Sequence, residues 1–180
     1  VPAVSDSPVP IDDAMKLGYN WTRGPFEMID AIGVDAFIAR LEREDRPVPP
    51  FLQAAAGQGF YRVREGRLHD LTSSGGFSPL QRAPGIRRFS EERRALEPVH
   101  TNDSASYFLL DGDIGLVEWH SKANTLDRDS MAILARAVDH ASRHCNGLVV
   151  YNDAPHFSCG VNLGVVLDLI DQGDFRGIDR

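Results

Sequence analysis

The sequence predicts two kinds of fold in one chain, a small all-helical module followed by an α/β unit. Three observations indicate this. The first part of the chain repeats apolar side chains at helical spacing, residues 60–71 alternate as a hairpin does, and from Ser104 short apolar runs flank one long amphipathic segment. The expected boundaries are 1–59 for the helical module, 60–103 for a hairpin and linker, and 104–180 for the α/β unit.

The helical module is expected to begin with two helices. Asp12 or Asp13 is placed to cap the first, which ends near Gly18. Pro25 suits the first turn of the second helix, where a missing N–H costs nothing. Gly33 is a natural stop for that helix.

Two further helices are expected before the hairpin. Asp35 is placed to cap the third helix, whose Phe37, Ile38 and Leu41 fall on one apolar face. The prolines that follow end this helix, and residues 51–56 are predicted to form a short fourth one.

The hairpin is expected to turn near Glu65-Gly66, and residues 72–103 are interpreted as a linker because they are rich in Ser, Gly, Pro and charge. The linker contains several arginines, with Glu91 and Glu92 among them. These arginines are Arg82, Arg87, Arg88, Arg93 and Arg94. A solvated linker or a short surface helix is favoured over a basic patch.

The α/β unit is expected to follow the order β-β-α-β-α with one parallel strand pair. Two strands should flank residues 111–113, residues 147–151 should form a third, and a helix should follow Gly160. Asp127 is placed to cap the long helix. The residues expected to line the apolar face of that helix are Met131, Leu134, Val138 and Ala141.

The composition of the chain limits the classes of protein to which it can belong. The chain has 180 residues, 42% hydrophobic and 25% charged, which is ordinary for a globular protein, and its net charge of −7 argues against nucleic-acid binding. No stretch is apolar for long enough to span a membrane, and the first residues lack the features of a secretory signal. Because Cys145 and Cys159 form no CxxC pair, a reduced, cytoplasmic protein is expected.

Metal and nucleophile signals are weak. His140 and His144 have i,i+4 spacing, but "HASRH" lacks the glutamate of the HExxH pattern and no third ligand is evident. The pair is therefore interpreted as solvent-facing, and no metal is expected. Cys159 is interpreted as a small packed side chain rather than a nucleophile.

The segment "PHFSCGVNL", residues 155–163, lies between the third strand and the last helix. A small-residue turn at a helix N-terminus presents unpaired N–H groups and the positive end of the helix dipole. Such groups can stabilise a carbonyl oxygen that becomes negative during a reaction. By spacing alone, a plain strand–helix turn is favoured over such a site.

Two motifs in the α/β part resemble the opening of the enoyl-CoA hydratase/isomerase (crotonase) family. They are "WHSKANTL", Trp119–Leu126, and "FSCGVNL", Phe157–Leu163. The resemblance implies that the first motif is the loop around the CoA moiety and that the second supplies half of an oxyanion hole for the thioester carbonyl. The implied donor is the backbone N–H of Val161. The implied CoA-binding residues are Ser121, Lys122, Ala123, Gly160, Val161, Asn162 and Leu163.

The helical module resembles another family. "IDDAMKLGYNWTRGPFEMIDAIGVD", residues 11–35, is similar to the C-terminal helical domain of 3-hydroxyacyl-CoA dehydrogenases. A module of this kind before a crotonase-like start resembles the long bacterial 3-hydroxyacyl-CoA dehydrogenases. The implied fold is a helical dehydrogenase module, a linker with a hairpin, and a truncated crotonase-like unit.

The resemblance implies a fragment of a fatty-acid β-oxidation enzyme that is inactive alone. The nucleotide-binding domain for NAD would precede Val1, and the remainder of the crotonase domain would follow Arg180. No glutamate occurs after Glu118, so the acid/base carboxylates of crotonases are not in these residues. The implied substrate is an acyl-CoA thioester, and a homo-oligomer is expected. The alternative is a non-catalytic acyl-CoA-binding or docking module.

Overall fold

The computed structural model describes Val1 and residues 3–175. It is a mixed α/β structure with two compact units, Val1–Ala95 and a second that begins at Leu96. Each unit has its own core, so each is described by itself. Within the described residues, no helix is both long and apolar enough to cross a membrane.

The first unit begins with four helices, as predicted. They are α1 (Val9–Tyr19), α2 (Pro25–Ile32), α3 (Val34–Arg43) and α4 (Pro50–Ala54). Pro25 is the first residue of α2, and Gly33 lies between α2 and α3 with a φ of 98°. This positive φ lets the chain reverse without strain, which is why glycine suits the position. Ile38 and Leu41 of α3 are buried as expected.

The predicted caps of α1 and α3 are wrong. α1 begins at Val9, so Asp12 lies inside the helix, where only 1% of it is exposed. Gly33 precedes α3, and the Asp35 carboxylate instead accepts the N–H of Gly57 at 2.9 Å. Both carboxylates accept N–H groups that lie outside the first turns of their own helices. A local sequence pattern does not reveal such distant partners.

The hairpin follows the helices and is confirmed, with its turn at Glu65-Gly66. A third antiparallel strand, a short helix and a 3₁₀ turn complete the first unit. These elements are β1 (Tyr61–Arg64), β2 (Arg67–Leu71), β3 (Phe77–Pro79), α5 (Phe89–Glu92) and the turn Arg93–Ala95. Residues 72–95, read from sequence as part of a linker, thus lie within the first unit.

An ion-pair cluster accounts for part of the arginine-rich stretch. The Arg82 guanidinium contacts both Asp13 and Glu91, and Arg88 contacts Asp13 at 2.6 Å. Burial alone would raise the pKa of Asp13, but hydrogen bonds and positive charge from the two arginines hold it below its usual value. Arg82 is only 16% exposed, so the expectation of a fully solvated segment is wrong for this residue.

The core of the first unit joins helices to hairpin through aromatic packing. Phe26 and Phe60 have ring centroids 4.7 Å apart, and Phe51 lies 5.3 Å from Phe60. The Asp30 carboxylate accepts the backbone N–H groups of Phe60 and Tyr61 at 2.8 and 2.9 Å. The hairpin is therefore attached to α2 by both apolar and polar contacts.

The second unit has the predicted β-β-α-β-α order, preceded by one short strand. Its elements are β4 (His100–Thr101), β5 (Ala105–Leu110), β6 (Ile114–Trp119), α6 (Arg128–His144), β7 (Gly147–Val150) and α7 (Leu163–Asp171). The sheet order is β4-β5-β6-β7. β7 pairs parallel to β6, and the other pairs are antiparallel. The parallel pairing is confirmed.

The predicted apolar face of α6 is only partly correct. Met131 and Val138 are 44% and 51% exposed. Ala141 is buried as expected, and Ile133 and Ala137 are buried in place of the two exposed residues. Small alanines let the helix lie close to the strands, where Ile133 and Ala137 pack with Tyr107, Val117 and Trp119. The helical spacing of Met131 and Val138 therefore did not identify the buried face of α6.

The N-terminus of α6 is closed by the predicted cap. The Asp127 carboxylate accepts the Ser130 N–H at 2.8 Å, and the Ser130 hydroxyl accepts the Asp127 N–H at 2.8 Å. Burial alone would raise the pKa of Asp127, but hydrogen bonds from Ser104 and Ser130 lower it below its ordinary value. The ionised carboxylate is therefore the form that the fold stabilises.

Replacing Asp127 by alanine should lower the free energy of unfolding by about 1–2 kcal/mol at neutral pH. Because the folded pKa is depressed, the stabilisation is fully present above the ordinary aspartate pKa of 3.8 and is lost as pH falls through the folded pKa. The urea unfolding curves of wild type and variant should therefore converge in acid. Asp129→Ala, in the same turn but without a cap bond, is the control, and an undiminished difference in acid would contradict this assignment.

Candidate functional site

The two motif segments, Trp119–Leu126 and Phe157–Leu163, lie side by side in the second unit. Leu126 donates its N–H to the carbonyl of Gly160 at 2.8 Å, and its own carbonyl accepts the N–H of Asn162 at 2.8 Å. These bonds form an isolated parallel bridge outside the named strands. Two motifs separated by some thirty residues in sequence are thus one piece of structure.

Further contacts fasten the segments to each other. Cys159 donates its N–H to the carbonyl of Ala123 at 3.2 Å. The Asn124 side-chain amide donates to the carbonyl of His156 at 2.9 Å. Because Asn124 is only 7% exposed, this bond is largely shielded from water.

A second asparagine holds the same loop from the sheet. The Asn152 side-chain oxygen accepts the N–H of Trp119 at 2.8 Å, and its amide donates to the carbonyl of Phe157. Asn124 and Asn152 therefore hold the carbonyls of two successive residues, His156 and Phe157. Asn124 lies within the motif Trp119–Leu126, but its bond to His156 was not predicted, and Asn152 belongs to no motif in the sequence.

The backbone N–H of Val161 points away from Leu126. In a parallel bridge, the central residue directs its N–H and carbonyl to the side opposite its partner, because its two neighbours make the bridging bonds. No hydrogen bond of the Val161 N–H is found among the described residues. The Val161 side chain is 58% exposed. The geometry leaves this donor available, and its role in an oxyanion hole stays a prediction.

The predicted CoA-binding loop is a short 3₁₀ turn, Lys122–Asn124. Ala123 and Asn124 both have left-handed backbone, with φ of 55° and 52°. The Ser121 hydroxyl donates to the Thr125 carbonyl at 2.6 Å, which closes the loop on itself. Lys122 is exposed. The loop therefore turns sharply. It is followed by Leu126, which pairs with Val161 through the parallel bridge.

The remaining predicted residues connect the bridge to α7. Gly160 has a φ of 86°, the region that favours glycine, and a Cβ there would meet no atom within 4 Å. Glycine is therefore favoured at this position for its backbone conformation and not for lack of space. The Asn162 side-chain oxygen accepts the Gly164 N–H at 3.0 Å and caps α7, whose first residue, Leu163, is 73% exposed.

Asn124→Ala should destabilise the loop locally by about 1–3 kcal/mol, because it leaves the His156 carbonyl without its buried donor. Alanine also disfavours the positive φ that asparagine tolerates. Asn124→Gly is the matched control, since glycine keeps the backbone and removes only the amide. Amide hydrogen exchange should be faster at residues 156–162 in both variants, and most in the alanine variant. Unchanged exchange in both would contradict the role of Asn124.

Sequence comparison finds that the chain is similar to bacterial proteins named as a 3-hydroxyacyl-CoA dehydrogenase or as fatty acid oxidation enzymes. It is 27% identical over 179 residues to a probable 3-hydroxyacyl-CoA dehydrogenase of Bacillus subtilis. It is 26% and 25% identical over 183 residues to putative fatty acid oxidation complex trifunctional enzymes of Rickettsia prowazekii and Rickettsia felis. The predicted resemblance is confirmed.

The match to these relatives covers 98–100% of the chain and therefore includes both units. The chain spans 22–23% of the relatives' own length. No protein-family model and no solved structure matches the chain. The relationship thus concerns one continuous region of much longer proteins.

Proposed function

We propose that the chain is part of a fatty-acid β-oxidation protein that joins an NAD-dependent 3-hydroxyacyl-CoA dehydrogenase to an enoyl-CoA hydratase/isomerase-like domain. In this proposal, residues 1–59 are dehydrogenase-like and residues 104–180 begin the crotonase-like part. The observation that carries it is the pairing of Trp119–Leu126 with Phe157–Leu163, which leaves the Val161 N–H unused. The names of the relatives support the reaction class.

The proposed substrate is an acyl-CoA thioester. Its carbonyl oxygen accepts a hydrogen bond from the Val161 N–H, while residues 121–123 lie along the CoA moiety. When an enolate-like intermediate forms, negative charge develops on that oxygen, and a fixed backbone donor stabilises the charge without reorganisation. The two asparagines keep the donor in place by holding the preceding loop.

On their own these residues are proposed to bind the thioester without transforming it. Hydration and isomerisation need a general acid/base, and residues 119–180 contain no glutamate. NAD is proposed to bind a nucleotide-binding domain of the longer protein, so this chain should not bind it. A homo-oligomer and a cytoplasmic location stay predictions.

Calorimetric titration of the 180-residue chain with acetoacetyl-CoA, with NAD and free CoA as controls, tests the proposal. We expect binding of the thioester, weaker binding of free CoA, and none of NAD. Absence of thioester binding would overturn the proposal for this chain. Equal affinity for acetoacetyl-CoA and free CoA would leave a CoA-binding module and remove the role of Val161.

A further inference from the structure

The last turn of α6 brings two imidazole rings together in a part of the second unit that the proposed function does not use. His140 and His144 have ring centroids 4.8 Å apart, with their planes inclined by 43°. His144 is exposed, but His140 is half-buried and its Nδ1 lies 3.0 Å from the Tyr107 hydroxyl. The interpretation of both histidines as solvent-facing is therefore wrong for His140.

The centroid separation of the two rings falls within the range that two imidazoles need in order to bind one metal ion. With a metal–nitrogen bond of about 2.0–2.1 Å and a ring centroid about 1.1 Å behind the nitrogen, each centroid lies about 3.2 Å from the ion. Bond angles between a right angle and the tetrahedral value then place the two centroids about 4.5–5.2 Å apart. The observed 4.8 Å lies inside this range.

Hydrogen bonding at Nδ1 of His140 can hold its ring in place and leave Nε2 free to bind a metal. The Tyr107 hydroxyl is fully buried and lies 3.0 Å from His140 Nδ1 and 3.5 Å from Cys145 Sγ. If Nδ1–H donates to the hydroxyl oxygen and the hydroxyl donates to Sγ, all three groups are satisfied. The lone pair of His140 Nε2 then stays free, the arrangement in which histidines bind metals.

We propose that His140 and His144 form a two-imidazole chelate for a divalent transition metal. The C-terminal end of a helix, with its unpaired carbonyls, favours a nearby cation. Across the described part of the chain, no group of three or more His, Cys, Asp or Glu side chains is placed to hold a metal. The remaining coordination positions therefore belong to water, and affinity should rise from Co²⁺ to Ni²⁺ to Cu²⁺.

Calorimetry with Ni²⁺ on the metal-stripped chain tests this proposal. Cys159→Ser serves as the background. The Cys159 residue is exposed, so its interpretation as a packed side chain is wrong, and an exposed thiol would bind metal by itself. We expect one Ni²⁺ per chain, and we expect His144→Ala to raise the Kd roughly tenfold or more, which is about 1.4 kcal/mol. His156→Ala, which removes another exposed imidazole, should leave the Kd unchanged. A Kd that is the same in His144→Ala, or no binding at all, would overturn the proposal.

The tautomer of His140 gives a second test that does not depend on added metal. Nitrogen-15 NMR of the metal-free protein should show the proton on Nδ1 and none on Nε2. The reverse tautomer would mean that Tyr107 donates to Nδ1, and it would overturn the proposed preparation of the ligand. Both tests are independent of acyl-CoA binding, so their failure and failure of the proposed function are distinguishable.

Discussion

Replacing Asp12 by alanine is expected to lower the free energy of unfolding of the first unit by about 3 kcal/mol. The Asp12 carboxylate accepts the N–H of Phe26 at 2.8 Å and that of Glu27 at 3.2 Å, and so satisfies two donors at the start of α2. It also accepts the Tyr61 hydroxyl at 2.7 Å. Alanine leaves all three donors without this partner in a region where Asp12 is 1% exposed.

Urea denaturation measures this change in the free energy of unfolding. Two further variants help to assign its cause. Burial raises the pKa of Asp12, so the charge itself is disfavoured and Asp12→Asn, which keeps one acceptor oxygen, should cost less than alanine. Glu42→Ala, on the exposed surface of α3, should change the unfolding free energy by less than about 0.5 kcal/mol. An equally small change for Asp12→Ala would show that α1, α2 and β1 are not joined through this carboxylate.

Val161→Pro is expected to lower the affinity for acetoacetyl-CoA to about that for free CoA. Proline removes the N–H of Val161 but leaves both bonds of the bridge, because these use the Gly160 carbonyl and the Asn162 N–H. Loss of one oxyanion donor typically costs about 2.7–4 kcal/mol in the transition state, and part of this is expected in thioester binding. Calorimetric titration gives the affinity.

Val161→Ala is the matched control, since it keeps the N–H and shortens a side chain that is 58% exposed. Its affinity should stay within a few-fold of wild type. Slow exchange of the Leu126 and Asn162 amides in the proline variant shows that the bridge has survived. Undiminished thioester binding by a proline variant with an intact bridge would remove Val161 from the site.

Local features were predictable from the sequence because their causes are local. Pro25 and Gly33 mark the start and the end of α2 because of their own backbone preferences. Asp127 caps the helix that starts beside it. The turn at residues 65–66 and the parallel pairing of β7 follow in the same way from turn chemistry and strand order. In each case the decisive interaction lies within a few residues or follows from chain connectivity.

Other features depend on contacts between distant residues. Asp12 looked like a cap of its own helix, yet it binds the start of the next helix and a tyrosine of the hairpin. The buried face of α6 was predicted only in part, because close packing places Ile133 and Ala137 against the sheet and leaves Met131 and Val138 exposed. Asn124 binds the carbonyl of His156, 32 residues further along the chain, and Asn152 binds the N–H of Trp119, 33 residues before it.

In the proposed site, two motif segments together present the Val161 N–H to a thioester carbonyl. The amide resonance of Val161 in two-dimensional ¹H–¹⁵N NMR spectra, recorded with acetoacetyl-CoA and with free CoA, tests this role. The role predicts a downfield proton shift of the Val161 amide with the thioester and a much smaller one with free CoA, which has no carbonyl at that place. A Val161 amide that stays unmoved while the thioester binds would contradict it.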